Sequence, residues 1–173
     1  MPSQPPTLAK LLAEGDESRP ALVAPGSSPL TYGQLEAHIE KASSALRANG
    51  YGDGKTLSLI LGNDPRFIIT FLAIARAGAV AAPLNPAYTS EEFRFYLEDT
   101  GAGALITLPD SGGEARKAAP KGTLLITATA DVEGRVRFST LGKPKKSRLS
   151  SIPAPEDIAL ILHTSGTTSR PKR

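Results

Sequence analysis

Ten consecutive residues, Thr164-Ser165-Gly166-Thr167-Thr168-Ser169-Arg170-Pro171-Lys172-Arg173, hold the densest chemistry in this sequence. The hydroxyls of Thr164, Ser165, Thr167 and Thr168 can donate to anionic oxygens, and Lys172 adds a compact positive charge. Gly166 lets the backbone come close to a bound group and adopt conformations closed to other residues. The run directly follows Ile158-Ala159-Leu160-Ile161-Leu162, an apolar stretch of strand character. A hydroxyl-rich glycine loop that leaves a strand and carries a lysine suits a polyphosphate.

Two familiar loops of this general kind are excluded by spacing. A Walker loop needs a second glycine just before its lysine and a Ser or Thr just after it, where this chain has Pro171 and Arg173. A nucleophile elbow needs glycine two residues either side of its serine, and Ser165 has His163 and Thr167 there.

The elements that must position this loop can be read from caps and periodicity. Thr7 opens a short amphipathic stretch with Leu8, Leu11 and Leu12 on one face, closed by Gly15. Ala21-Leu22-Val23 reads as a short strand before the turn-rich Pro25 to Pro29. Thr31 with Gln34 three residues on makes a capping box, and the helix it starts carries Leu35, Ile39, Ala42 and Leu46 on one stripe up to Gly50. Thr56 to Leu61 reads as a buried strand. Asp64-Pro65 starts a second helix, with Phe67, Ile68, Phe71, Leu72 and Ala75 as its apolar residues and Gly78 as its end.

Ala79 to Leu84 is the next strand. Thr89 and Glu92 cap a helix with Phe93, Tyr96 and Leu97 inward and Gly101 at its end. Glu91 and Glu92 are acids that complement the dipole at that helix start rather than a catalytic pair. Ala104 to Thr107 and Leu124 to Thr127 are strands flanking a short helix around Glu114 to Ala119. The alternation predicts an α/β fold, a mostly parallel sheet with crossover helices, whose core runs from Thr7 to Thr127. Residues 128–157 read as an irregular connection, apart from a short strand at Val136-Arg137-Phe138, and residues 158–173 as one more strand and the phosphate loop.

Composition narrows the class. The 173 residues are enough for one domain with a core, and a 40% hydrophobic fraction is normal for a globular chain. With no cysteine and only His38 and His163 as histidines, disulfide scaffolds and Cys/His metal sites are not expected. His38 reads as a surface or helix-packing residue. His163 reads as a loop-side polar contact or a buried, satisfied histidine, with catalysis as the alternative. A net charge of +3 is too mild to argue for nucleic acid. Met1 to Pro6 lacks a basic segment followed by an apolar one, and no apolar run is long enough to span a membrane, so an intracellular chain without a membrane partner is expected.

The loop resembles the signature of the adenylate-forming (acyl-CoA synthetase, AMP-binding) superfamily, Thr/Ser-Ser-Gly-Thr-Thr-Gly-x-Pro-Lys-Gly. Thr164 to Thr168 and Pro171-Lys172 match it position by position. Ser169 stands where most members have glycine, and Ser169-Arg170 with Leu162-His163 resembles the oxalate–CoA ligase branch. Arg173 also replaces a glycine and reads as a splice, frameshift or cloning scar. Upstream, Leu30 to Leu35, Gly62 to Ala77 and above all Gly78 to Leu97 resemble the same group. The resemblance covers nearly all of residues 1–173, as an incomplete N-terminal AMP-binding domain.

The resemblance implies an ATP-dependent acid–CoA ligase that forms an acyl-adenylate and then an acyl-CoA, with ATP, magnesium and coenzyme A as cofactors. The partner would be a small carboxylic acid, oxalate in that branch. It also implies that Thr164, Ser165, Gly166, Thr167, Thr168 and Lys172 hold the phosphates, while the adenine contacts, the metal-binding acid and the catalytic lysine lie beyond this sequence. No catalytic and no metal-binding residue is therefore assigned, and the isolated chain is expected to be inactive. A complete parent would be cytoplasmic or peroxisomal; the internal Ser147-Arg148-Leu149 is no address, because such a signal is read at a C-terminus.

Two other readings stand beside it. The chain could be a non-enzymatic truncated product or partner-binding module, self-associating through exposed sheet surface. A weaker option is RNA binding by Arg135, Arg137, Lys143, Lys145, Lys146 and Arg148, although only Phe138 accompanies them and a solvated linker is favoured.

Overall fold

Three helix starts are fixed by side chains that turn back on their own backbone. The computed structural model describes residues 7–8, 12, 15–26, 28–131, 134–140 and 153–163. In helix α1, Tyr32–Ala48, the Thr31 Oγ1 accepts from the Gln34 N–H at 3.3 Å and Gln34 Oε1 accepts from the Thr31 N–H at 2.9 Å. Thr89 and Glu92 repeat the arrangement at helix α3, Ser90–Asp99, where the Thr89 N–H donates to Glu92 Oε2 at 2.7 Å. Those hydrogen bonds hold the exposed Glu92 carboxyl below its ordinary range. Helix α2, Pro65–Arg76, has proline in its first turn, and Asp64 Oδ1 accepts from the Arg66 N–H at 2.8 Å. Each cap satisfies donors that an α-helix leaves open at its start.

Between these helices run β1 (Pro20–Leu22), β2 (Leu30–Thr31), β3 (Thr56–Ile60), β4 (Val80–Pro83), β5 (Ala104–Thr107), β6 (Leu124–Ala130) and β7 (Val136–Thr140), with a short α4 at Gly113–Ala118. The main sheet has the order β4-β3-β5-β6-β7 and is parallel except for β7. β1 and β2 form a small antiparallel pair beside it. This is the α/β, mostly parallel architecture that the alternation predicts.

Period two along β3 divides the core. Leu57 and Leu59 face α1 and α2 and pack with Leu35, Ile39, Leu46 and Ile69, all nearly inaccessible. Ile60 and Leu105 face the other way and pack with Phe93, Tyr96, Leu97 and Ala115 of α3 and α4. The helices therefore cover both faces of a parallel sheet. Charge ties α1 to α2: Arg76 forms a two-pronged pair with Glu36, Nη2 to Oε2 at 2.8 Å, and Arg47 Nη1 reaches the Arg76 carbonyl at 3.2 Å. Across β5 and β6, the Arg116 guanidinium donates to Thr107 Oγ1 and to Thr127 Oγ1, the latter at 3.0 Å. α4 is preceded by Gly112, whose φ of 74° suits glycine and where a Cβ would come within 2.6 Å of the Thr107 methyl.

Four expectations are corrected. Ile68 belongs to the outward side of α2 and is 37% exposed, whereas Ile69, Leu72 and Ala73 face inward. α2 is apolar nearly all round, so its sequence left two stripes open and packing against α1 and the sheet chose between them. Secondly, the connection expected to be irregular from residue 128, apart from a short strand at Val136-Arg137-Phe138, contains the end of β6 and a β7 that begins at the expected Val136 and runs on to Thr140. Ala128 and Val136 are buried in the core, and the Asp131 carboxylate fixes the turn by accepting from the Arg135 N–H at 3.0 Å. Thirdly, the core expected to stop at Thr127 runs on through that hairpin, because β7 pairs with β6 over five positions. Fourthly, the expected strand at 158–162 is reduced to one parallel bridge, Ala81 with Leu160. It lies beside β4 and makes two backbone hydrogen bonds, Ala81 N–H to Ala159 O at 3.0 Å and Ile161 N–H to Ala81 O at 2.9 Å. Of the amphipathic stretch opened by Thr7, Leu11 lies outside the described residues. Among the described residues no helix is long and apolar enough to cross a membrane.

The choice of stripe in α2 is directly measurable. Ile69→Ala should cost about 2–5 kcal/mol of unfolding free energy, while Ile68→Ala should cost well under that, since it removes little buried surface. Equal losses in urea titrations of the two variants would mean that α2 is rotated from the orientation described.

Candidate functional site

All six residues expected to hold phosphate, Thr164, Ser165, Gly166, Thr167, Thr168 and Lys172, lie outside the described residues. What the structure does define is the ground from which that loop departs. The bridge at Leu160 sets the chain parallel to β4 and in a fixed register with it. Side chains then alternate. Ile158, Leu160 and Leu162 look to the α2 side of the sheet and are 67%, 39% and 56% exposed. Ala159, Ile161 and His163 take the opposite side, where α3 lies.

His163, the last described residue, is held on two sides. Its side chain is only 3% exposed, and its Nε2 lies 3.1 Å from Asp99 Oδ2 at the end of α3. Its ring meets Tyr96 at a centroid distance of 4.5 Å and an angle of 56°. Tyr96 in turn stacks on Tyr88 at 4.8 Å, and Tyr88 meets Phe93 edge-on at 5.9 Å. An aromatic column thus runs from the β4–α3 connection to the threshold of the loop. Burial, and then the hydrogen bond with Tyr88, push the Tyr96 phenol up to about 12.

His163 is therefore a buried, hydrogen-bonded histidine beside the loop, one of the readings its sequence position allowed. Neither Asp99 nor Tyr96 was singled out as a neighbour of the loop. They lie 64 and 67 positions before His163 in the chain, and Tyr96 has the ordinary inward position of a helix residue. One signal was available for Asp99: α3 ends on a carboxylate with no basic residue in its last turn, against the direction of the helix dipole.

A separate crevice of ≈ 1030 Å³ opens between β1, β2, the start of α2 and the β6–β7 turn. Its charges are largely answered from within. The Arg66 guanidinium lies 2.6 Å from Asp64 Oδ2 and holds that carboxyl below its usual range, and Arg135 Nε lies 2.8 Å from Asp131 Oδ2. His38, on the packing side of α1, is 8% exposed and lines the same crevice. Arg135 and Arg137, two of the six basic residues considered for RNA, both pair with Asp131, at 2.8 and 3.0 Å. The other four lie outside the described residues. Among the described residues no group of three or more His, Cys, Asp or Glu side chains is arranged to hold a metal ion.

Comparison with known proteins identifies the family and the fold. The family model described as "AMP-binding enzyme" matches residues 11–173. "Probable CoA ligase CCL9" of Humulus lupulus is 42% identical over 172 residues, covering 95% of this chain and 32% of that protein. "Oxalate--CoA ligase" of Arabidopsis thaliana is 39% identical over 183 residues, covering 96% of this chain and 34% of that protein. The chain thus spans about a third of the length of the curated relatives it matches. In fold, it superposes on the Klebsiella oxytoca NpsA N-terminal subdomain with a TM-score of 0.70 at 22% identity, covering 95% of this chain and 39% of that one.

The buried column has a signature in alkali. One of the four tyrosines should ionise near pH 12, well above an ordinary phenol near 10, and Tyr96→Phe should remove that late step. Because the folded-state value is raised, Tyr96 stabilises the fold fully below about pH 10 and loses that contribution as the pH climbs through about 12. Absorbance at alkaline pH showing all tyrosines ionised together near 10 would contradict the buried column.

Proposed function

The chain belongs to the AMP-binding enzyme family, and on that premise we propose that it is the phosphate-holding part of an ATP-dependent acid–CoA ligase. The observation that carries the reading is the run Thr164 to Lys172, five hydroxyls, a glycine and a lysine, entered from a segment bridged to the sheet edge. In such a ligase a carboxylate oxygen attacks the α-phosphorus of ATP, the bond to the β-phosphate oxygen breaks, and pyrophosphate leaves. The thiol of coenzyme A then displaces AMP from the acyl carbon.

Negative charge grows on the departing pyrophosphate, so donors held in place there lower the barrier. Thr164, Ser165, Thr167 and Thr168 supply hydroxyl donors, Gly166 permits close backbone approach, and Lys172 contributes a point charge. This donor set fits the β- and γ-phosphates of ATP. Magnesium would accompany those phosphates, and no described residue is assigned to it. Oxalate is the proposed acid. Ser169-Arg170, Leu162-His163 and the Gly78 to Leu97 segment support it, together with the 39% identity to a protein named for that substrate. The relative at 42% identity carries a name that specifies no acid, so the substrate is tested separately from the reaction.

The 173-residue chain should release no pyrophosphate from ATP with oxalate or any other acid, because phosphate donors alone do not make a preorganised transition-state site. A longer protein that carries this chain should show oxalate-dependent pyrophosphate release, and Lys172→Ala in it should raise the KM for ATP about tenfold or more. Release that responds to a different acid and not to oxalate would overturn the substrate while leaving the ligase reading intact. Release by the 173-residue chain alone would overturn the division of labour proposed here.

A second reading rests on the exposed row Ile158, Leu160 and Leu162. Three apolar side chains on one side of an edge segment favour association, and by itself the chain would act as a self-associating module. Sedimentation should show dimers or larger species that Leu160→Asp returns to monomer. A monodisperse monomer for the unmodified chain at high concentration excludes this reading.

A further inference from the structure

Residues 153–163 cross the outer edge of β4 with little backbone to hold them there. The bridge at Ala81 supplies two hydrogen bonds, one donated by the Ala81 N–H and one by the Ile161 N–H. The turn that leads in is closed on itself: the Ala154 N–H donates to Asp157 Oδ2 at 2.8 Å, and the Asp157 N–H to the Ala154 carbonyl at 3.1 Å. A gap of ≈ 180 Å³ is lined by Ala75, Gly78 and Ala79 of the body and by Pro153, Pro155 and Ile158 of this segment. Side chains that face such a gap lose the dispersion contacts of a packed interior. No residue from 153 to 163 is buried as a whole.

The side chain of His163 is anchored differently. It is 3% exposed, with Nε2 at 3.1 Å from Asp99 Oδ2 and its ring at 4.5 Å from that of Tyr96. Asp99 closes α3 at the negative end of the dipole, where no basic residue of the last turn offsets it. A residue that breaks a local rule of helix design commonly serves something beyond that helix. Tyr96 is backed by Tyr88, and Tyr88 by Phe93. The surface that receives the imidazole therefore belongs to the core built on α3.

We propose that residues 153–163 form a releasable strap over the β4 edge, with the His163 side chain as its latch and Asp99 and Tyr96 as the catch. Two backbone hydrogen bonds at the rim of a sheet, with little apolar burial behind them, open far more readily than the core. Seating of the strap therefore depends on the latch. When the strap lifts, the Ala81 N–H and carbonyl are bared, and β4 becomes an open edge able to pair with another extended segment. The latch thus sets whether this edge is closed or available. The device is independent of the phosphate reading, since it involves no residue beyond 163.

Amide hydrogen exchange in the 173-residue chain, followed by NMR and corrected for intrinsic rates, tests the strap. The Ala81 and Ile161 amides donate between strap and β4, whereas Val80 and Leu84, on the same stretch as Ala81, donate to the carbonyls of Lys55 and Leu59. In the unmodified chain Ala81 and Ile161 should exchange at least about tenfold faster than Val80 and Leu84, because lifting exposes the first pair and spares the second. Asp99→Ala should speed Ala81 and Ile161 by about tenfold more and leave Val80 and Leu84 unchanged. His163→Ala, which also removes the contact with Tyr96, should do at least as much. The double variant should go no further than His163→Ala, since both changes break one contact. Asp99→Asn, whose amide can still meet Nε2, should stay close to the unmodified chain. Equal exchange at all four amides of the unmodified chain would mean that strap and sheet open together. Unchanged rates at Ala81 and Ile161 in both single variants, or rates that rise at all four amides, would mean that His163 is no latch. Either result overturns the proposal.

Discussion

Parallel pairing at β3 is the constraint on which the rest of this molecule depends. β3 pairs in parallel with β4 on one side and with β5 on the other, so each neighbour has to be reached by a crossover. α2 makes the first crossover and α3 the second, on opposite faces of the sheet. β3 is thereby enclosed on both faces and on both edges, and Leu57, Leu59 and Ile60 have almost no contact with solvent. Helix lengths, cap positions and the apolar stripes are the means of closing those two crossovers.

Polar side chains serve this framework where the backbone by itself would leave a weakness. Thr31, Asp64 and Thr89 close helix starts. The Arg76–Glu36 pair holds α1 against α2, and Arg116 draws together the hydroxyls of Thr107 and Thr127 on adjacent strands. These ties bind neighbouring elements, so they stiffen a framework that apolar burial has already assembled. Asp99 is different. Its charge opposes the dipole at the end of its own helix, and its imidazole partner belongs to a segment 64 residues away.

The outer edge of β4 receives that segment with a single bridge, two backbone hydrogen bonds at Ala81. One bridge fixes register and direction but little orientation, since the chain can pivot about it. Side-chain contacts on the α3 face supply what the bridge lacks: His163 between Asp99 and Tyr96, with Tyr88 and Phe93 behind. On the α2 face Ile158, Leu160 and Leu162 have no equivalent cover among the described residues. The same short segment thus carries a restrained side that leads to the loop and an apolar side available to other surfaces.

Much of this was legible in the sequence because it is local. Capping boxes lie within four residues, a stripe of Leu35, Ile39, Ala42 and Leu46 recurs with the helical period, and short apolar runs bounded by turns mark the strands. The hydroxyl-rich run 164–172 was equally legible, since its chemistry lies in residue types at fixed spacing. The inward side of α2 was not, because a helix apolar nearly all round has no preferred face until α1 and the sheet meet it. Nor was the pairing of the β6–β7 hairpin, whose short strand signal at Val136 to Phe138 could be read but whose antiparallel partner and Asp131 turn could not. The setting of His163 required tertiary structure altogether: Asp99 and Tyr96 come to it only when α3 is laid across the sheet, and no spacing along the chain encodes that meeting. Sequence alone determined which residues could face phosphate; the fold decided what holds the residue just before them, because a contact spanning 64 positions exists only once the crossovers have closed.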